Sequence, residues 1–215
     1  MDYELYVPDG GDRKPLLIAL HGYGGTAASM MRTAQLINDH DFVIVSLQGP
    51  HQHIAFPETG TTPLKFGFGW VTNYRPEESI ALHHNAINSI ITDPAVTAVA
   101  DAGTLFLLGF SQSVAINFRY AFSHPGRVRG IIALCGGIPG DWTTSEKYTN
   151  AATSVLYIAG SRDTVYPPAT IARHAEALRS RTNDVAMQEI NAGHEITGEM
   201  LSAVRSWLAR QCPSP

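Results

Sequence analysis

A chain of 215 residues, 44% hydrophobic and 16% charged, fits one globular domain over residues 1–215 and leaves little room for a second. A formal net charge of -4, with 15 Lys and Arg spread along the chain rather than gathered in runs, argues against nucleic acid or an anionic membrane as partner. Two cysteines, Cys135 and Cys212, make no disulfide framework, so free thiols in a reducing compartment are expected.

The start Met1-Asp2-Tyr3-Glu4 is acidic and lacks the basic, apolar pattern of a signal peptide. No apolar run approaches the roughly 20 residues of a membrane helix, and a cytoplasmic location without membrane insertion is the expectation. No repeat or low-complexity tract interrupts the chain.

Short, nearly continuous apolar runs alternate with segments of helical period. Residues 16–20 and 42–47 are the first two runs, with a helix predicted over 26–38 between them after a Gly-rich turn. A second helix is predicted over 76–91, where Pro76-Glu77-Glu78 suits a first helical turn. Residues 104–108 form the next run, followed by a helix over 114–122, and the runs at 130–135 and 155–159 come after it. A Pro-initiated helix is predicted over 168–181, then a weaker strand over 185–190. The last helix carries Ile196, Met200, Leu201, Val204, Trp207 and Leu208 on one apolar face. Unbroken apolar strands separated by helices predict an α/β fold with a mostly parallel sheet, whose ligand site lies beyond the carboxyl ends of the strands.

The residues just after each run therefore matter most. They are His21-Gly22-Tyr23-Gly24-Gly25, Gly109-Phe110-Ser111-Gln112-Ser113, Gly160-Ser161-Arg162-Asp163 and Asn191-Ala192-Gly193-His194. The second has the strand-turn-helix setting of a nucleophile elbow, with small residues two before and two after the serine. An unassisted hydroxyl is a poor nucleophile and needs a base. Among nine histidines His194 suits that role, between a strand and the last helix. Asp163 is the candidate acid that orients it, with Asp141 the alternative. The Tyr23 and Gln112 N–H groups are candidate donors to a developing oxyanion. Gly22, Phe66, Trp70, Ser113 and Val165 are candidate substrate-pocket residues. Each piece has a plainer reading as a turn, a cap or core packing; their coincidence at four strand ends carries the argument.

These residues resemble the small carboxylesterase, lysophospholipase and acyl-protein thioesterase group of α/β hydrolases. The matching stretches are HGYGG, Gln48-Gly49-Pro50, GFSQS, Leu134-Cys135-Gly136-Gly137, GSRDTVYP and GHEIT, spread in order over nearly the whole chain. The order Ser, acid, His is also that of the α/β hydrolases. The resemblance implies a mostly parallel sheet of about seven strands with helices on both faces, a minimal lid, no metal and no organic cofactor. It also implies esterase or thioesterase activity on a small acyl substrate. Two departures stand out. The resembled family has G-F-S-Q-G-G where this chain has Ser113 and Val114, and the segment Phe66-Gly67-Phe68-Gly69-Trp70-Val71 also differs, which bears on substrate class.

Other features point elsewhere only weakly. His51-x-His53 lacks a third metal ligand nearby, and His83-His84 sit side by side on a helix, pointing apart. Phe66, Phe68, Trp70 and Tyr74 could line a pocket or pack on the sheet edge. Cys135 as nucleophile lies on the wrong strand, and Met30-Met31 read as core. Two further readings stay open: a hydrolase-fold binding protein that does not turn over, favoured only by Ser113 and Val114, and a triad amidase or peptidase. Oligomeric state is left open, since no coiled-coil pattern is visible.

Overall fold

In the computed structural model, which describes residues 1–55 and 65–212, the apolar runs become the interior strands of a twisted sheet. The expected domain range of 1–215 thus includes residues 56–64 and 213–215, which lie outside the described residues. In chain order the elements begin β1 (Tyr3–Tyr6), β2 (Lys14–Leu20), α1 (Ala27–Ile37), β3 (Val43–Leu47), β4 (His51–Ala55) and β5 (Lys65–Gly69). There follow α2 (Pro76–Ile90), α3 (Pro94–Thr97), β6 (Ala100–Phe110), α4 (Gln112–Ser123) and β7 (Gly130–Leu134). The chain ends with β8 (Ser154–Gly160), α5 (Pro168–Arg179), β9 (Val185–Ile190) and α6 (Gly198–Gln211).

The main sheet has seven strands in the order β1-β3-β2-β6-β7-β8-β9. All neighbours are parallel except β1, which runs antiparallel along β3. Side chains alternate between the two faces of each strand. Leu16, Ile18 and Leu20 of β2 belong to one core layer with Ile87 and Ile90 of α2, Phe118 of α4 and Ile171 of α5. Leu17 and Ala19 pack on the opposite face with Met30 and Met31 of α1 and with Met200 and Val204 of α6. Helices on both faces explain why the interior strands are apolar without alternation.

Local chemistry sets the helix ends. Thr26 caps α1, its hydroxyl accepting from the Ser29 N–H while the Ser29 hydroxyl accepts from the Thr26 N–H. The Pro76 start of α2 matches the sequence expectation, with Glu77 and Glu78 in its first turn. Among the described residues no helix is long and apolar enough to cross a membrane.

Strands β4 and β5 form a separate antiparallel pair, His51 facing Gly69. This hairpin is fastened to the loop after β2, where the Gly24 N–H donates to the Phe68 carbonyl (2.9 Å) and the Phe68 N–H donates to the Gly25 carbonyl (3.1 Å).

Candidate active site

The site is assembled at the carboxyl ends of β2, β6, β8 and β9. Strand β6 runs one residue past its last pairing with β2, and Ser111 follows with a positive φ (φ 55°, ψ -114°) before α4 begins at Gln112. A non-glycine residue with positive φ holds strain that the surrounding structure must enforce. Here the Ser111 N–H donates to the Leu134 carbonyl of β7 (2.9 Å), and the Val114 N–H donates to the Ser111 carbonyl (3.2 Å). The sharp turn lifts the Ser111 hydroxyl towards the loop after β9.

There His194 meets it, with Nε2 2.8 Å from Ser111 Oγ. The other ring nitrogen, Nδ1, lies 2.8 Å from Asp163 Oδ2. The three residues anticipated as nucleophile, base and acid are thus brought into one hydrogen-bonded line. An Nδ1–H donated to the carboxylate leaves Nε2 as the acceptor for the serine proton.

Asp163 is held from several sides. Its Oδ1 accepts from the Val165 and Tyr166 N–H groups, each at 2.8 Å. Burial alone would push its carboxyl pKa up, but those two N–H groups and His194 outweigh it and hold the pKa below the ordinary value. Asp141, the alternative acid, does not reach His194. It is engaged by Arg119 at 2.9 Å and by the Tyr148 hydroxyl at 3.0 Å.

The loop carrying Tyr23 is anchored through His21, which is almost fully buried (2% exposed). Burial, only partly opposed by the Gly22 carbonyl, lowers the His21 pKa. The ring is therefore neutral, with Nδ1–H donating to the Gly22 carbonyl (2.7 Å) and Nε2 accepting from the Gly49 N–H (3.0 Å). Gly22 itself packs so closely on the elbow that an added Cβ would lie 2.7 Å from Phe110 Cδ1. With Tyr23, Met30, Thr33, Phe110 and Ile196 it borders an open cleft of about 200 Å³. A larger cavity of about 430 Å³ lies between α2 and the far end of α4, bordered by His84, Arg119, His124 and Tyr148. It is remote from Ser111, and its Arg119 is already paired with Asp141.

The remaining candidates separate into exposed and buried. Phe66 and Val165 are exposed (56% and 59%), as is the Tyr23 side chain, which stacks on His53 with ring centroids 4.4 Å apart. Trp70 and Ser113, expected to line the pocket, are both fully buried. Trp70 donates its indole N–H to the His21 carbonyl (2.7 Å) and its backbone N–H to Gln112 Oε1 (2.7 Å). Gln112 Nε2 in turn donates to the Val71 carbonyl (3.0 Å). The aromatic segment after β5 thus serves at Trp70 as a brace between the two loops that would supply oxyanion donors.

His51 pairs with the Ser79 hydroxyl (2.8 Å) and His53 stacks on Tyr23, so the two do not converge. Among the described residues no group of three or more His, Cys, Asp and Glu is placed to hold a metal ion. The Cys135 thiol is buried, and burial, reinforced by the nearby Asp163 carboxylate, pushes its pKa up to about 11; such a thiol is a poor nucleophile.

Sequence reasoning missed the aromatic walls around His194. The Phe110 and Tyr166 ring centroids lie 5.1 Å and 5.9 Å from that of the imidazole. Their positions, one residue before Ser111 and three after Asp163, were the available signal.

A family model described as phospholipase/carboxylesterase matches residues 2–212. The fold is similar to that of a Bacillus cereus carboxylesterase (TM-score 0.74, 19% identity, covering 98% of this chain and 95% of that one). Zea mays acyl-protein thioesterase 2 is similar as well (TM-score 0.72, 18% identity, 98% of each chain). So is a Mesorhizobium loti carboxylesterase (TM-score 0.72, 24% identity, 93% of this chain and 90% of that one).

Proposed function

Because the chain belongs to the phospholipase/carboxylesterase family of α/β hydrolases and is an ester-hydrolysing enzyme, we propose that it acts through a Ser111-His194-Asp163 triad on small carboxylic esters, with thioesters and lysophospholipids in the same chemical range. The observation that carries this reading is the pair of 2.8 Å contacts joining Ser111 Oγ, the two imidazole nitrogens and Asp163 Oδ2. In this mechanism His194 Nε2 takes the Ser111 proton as the hydroxyl oxygen attacks the acyl carbon. The negative oxygen of the tetrahedral intermediate is received by the Tyr23 and Gln112 N–H groups. His194 then returns the proton to the leaving alcohol or thiol, and an acyl-Ser111 ester remains. Water, deprotonated by His194, attacks that ester and releases the acid.

A single domain and a reducing, cytoplasmic setting are part of the reading, the latter supported by the free Cys135 and Cys212. No observation favours a silent binding protein: Ser113 and Val114, the residues that raised it, are fully buried. Nothing favours an amidase or peptidase either.

The test is the initial rate on p-nitrophenyl acetate, butyrate and octanoate for wild type and Ser111→Ala. Turnover that disappears in the variant supports the reading, and the preferred acyl length sizes the pocket. Undiminished turnover in Ser111→Ala would overturn it.

A further inference from the structure

Where the resembled family has glycine, this chain has Ser113, and that side chain is fully enclosed. Its hydroxyl oxygen accepts from the Phe110 N–H (3.0 Å) and lies 2.9 Å from the Leu20 carbonyl, to which it can donate, and 3.0 Å from the Phe110 carbonyl. Leu20 ends β2, and the next three residues are His21, Gly22 and Tyr23. Phe110 ends β6, and the next residue is Ser111.

The two sides of the elbow are held differently. Towards β7 the main chain does the work, since pairing continues to Phe110 opposite Leu134 and the Ser111 N–H donates to the Leu134 carbonyl. Towards β2 the main-chain ladder stops at Leu20 opposite Gly109, one residue short. The Ser113 hydroxyl spans that gap, reaching from the first turn of α4 to both strand ends.

We infer that Ser113 is a positioning residue, whose buried hydroxyl holds the Ser111 elbow in register with the loop that carries the Tyr23 N–H. The inference rests on the proposed triad and oxyanion reading. Stabilisation of a developing oxyanion depends steeply on donor placement, and misplacement by about 1 Å can reduce rate by about 10²-fold. A side chain that fixes the separation of the elbow and the donor loop therefore acts on the transition state more than on substrate binding.

The experiment uses wild type, Ser113→Ala and Ser113→Gly, the second variant covering the case in which alanine fails to fold. Each is titrated with a fluorophosphonate to count reactive Ser111 hydroxyls. Then kcat, KM on p-nitrophenyl butyrate and the inhibition constant of an alkyl boronic acid are expressed per titrated site. The boronate adduct of Ser111 carries its negative charge on a tetrahedral centre and so reports the oxyanion geometry. The expected result is a kcat about tenfold or more lower per site, a boronate inhibition constant raised by a similar factor, and KM within about twofold of wild type. Unchanged kcat and boronate affinity per site, with only a lower Tm, would overturn the inference. A wild type unlabelled at Ser111 would overturn the triad reading and this inference together.

Discussion

Gly136 and Val114 touch without slack: a Cβ built on Gly136 would lie 2.4 Å from Val114 Cβ and 2.6 Å from the Ser111 carbonyl oxygen. The bulk that Val114 brings to the elbow is thus matched by its absence at Gly136, on the segment after β7. Overpacking a filled core typically costs about 1–3 kcal/mol. Gly136→Ala should lower stability by that order in urea unfolding and lower activity by pushing on the Ser111 backbone. A variant as stable and active as wild type would show that the segment can yield.

Asp163 offers a test of its own. Asp163→Asn leaves the side chain's shape but removes the charge 2.8 Å from the imidazole that, in the proposed triad, orients and stabilises it. The expected loss is about 10³- to 10⁴-fold in kcat, read on the best p-nitrophenyl ester of the series.

The same carboxylate governs part of the acid stability. Its folded pKa lies below the ordinary carboxyl value of about 3.9. Its stabilising effect is therefore complete above the unfolded pKa and disappears as pH falls through the folded one. From about pH 5 downward, urea midpoints of wild type should fall faster than those of Asp163→Asn. Parallel curves would remove Asp163 from the acid response.

His83 works in a different pH window. It is fully buried, with Nε2 3.2 Å from Asn117 Oδ1. Burial, reinforced by His84, lowers its pKa to about 3; burial, then His124 and Arg119, lower that of His84 to about 4. Both stay neutral in the fold at pH values where the unfolded chain takes up a proton, near pH 6.5. Their stabilising effect is complete above that value and falls as pH drops towards the folded pKa, by about 1.4 kcal/mol per pH unit for the buried His83 and by less for the partly exposed His84. His83→Gln should flatten the slope of unfolding free energy between pH 6 and 4 by about one proton. Urea titrations at half-unit intervals would show it.

Trp70→Phe keeps the buried ring but leaves the His21 carbonyl without its indole donor. An unsatisfied buried acceptor costs about 1–3 kcal/mol. The variant should lose stability by that amount and lose kcat more than it gains in KM, because the loop disturbed is the one bearing Tyr23. A change in stability alone would confine Trp70 to packing.

Much of this architecture is legible in the chain because the physics is local. Nearly continuous apolar runs mark β2, β3, β7 and β8, where burial on both faces removes any reason for alternation. Thr26 and Pro76 mark helix starts by their own chemistry. The edges are harder to read. Tyr3–Tyr6 is four residues long and only half-buried, and its strand state depends on Leu47 and its neighbours far along the chain. The His-containing β4 carries no two-residue apolar rhythm, and in β5 Phe66 and Phe68 alternate with glycines that usually weaken a strand, so the pairing of the two rests on the loop at Gly24 and Gly25. Trp70 shows the limit at the site. An aromatic residue beside glycines reads equally as a pocket wall or a buried brace, and only the tertiary contacts with His21 and Gln112 decide. Ser113 is similar, since its type reveals size but not which carbonyl it will meet.

The sheet's two outermost strands, β1 and β9, are four and six residues long and carry the exposed Glu4 and Glu189. An open strand edge is a template on which another chain can add, and charge on a short edge discourages that addition. A second copy laid along either edge in a symmetric antiparallel pairing would bring like carboxylates close together at neutral pH. The same sheet that aligns the strand ends thus resists growing into a fibre, most firmly where the carboxylates are ionised.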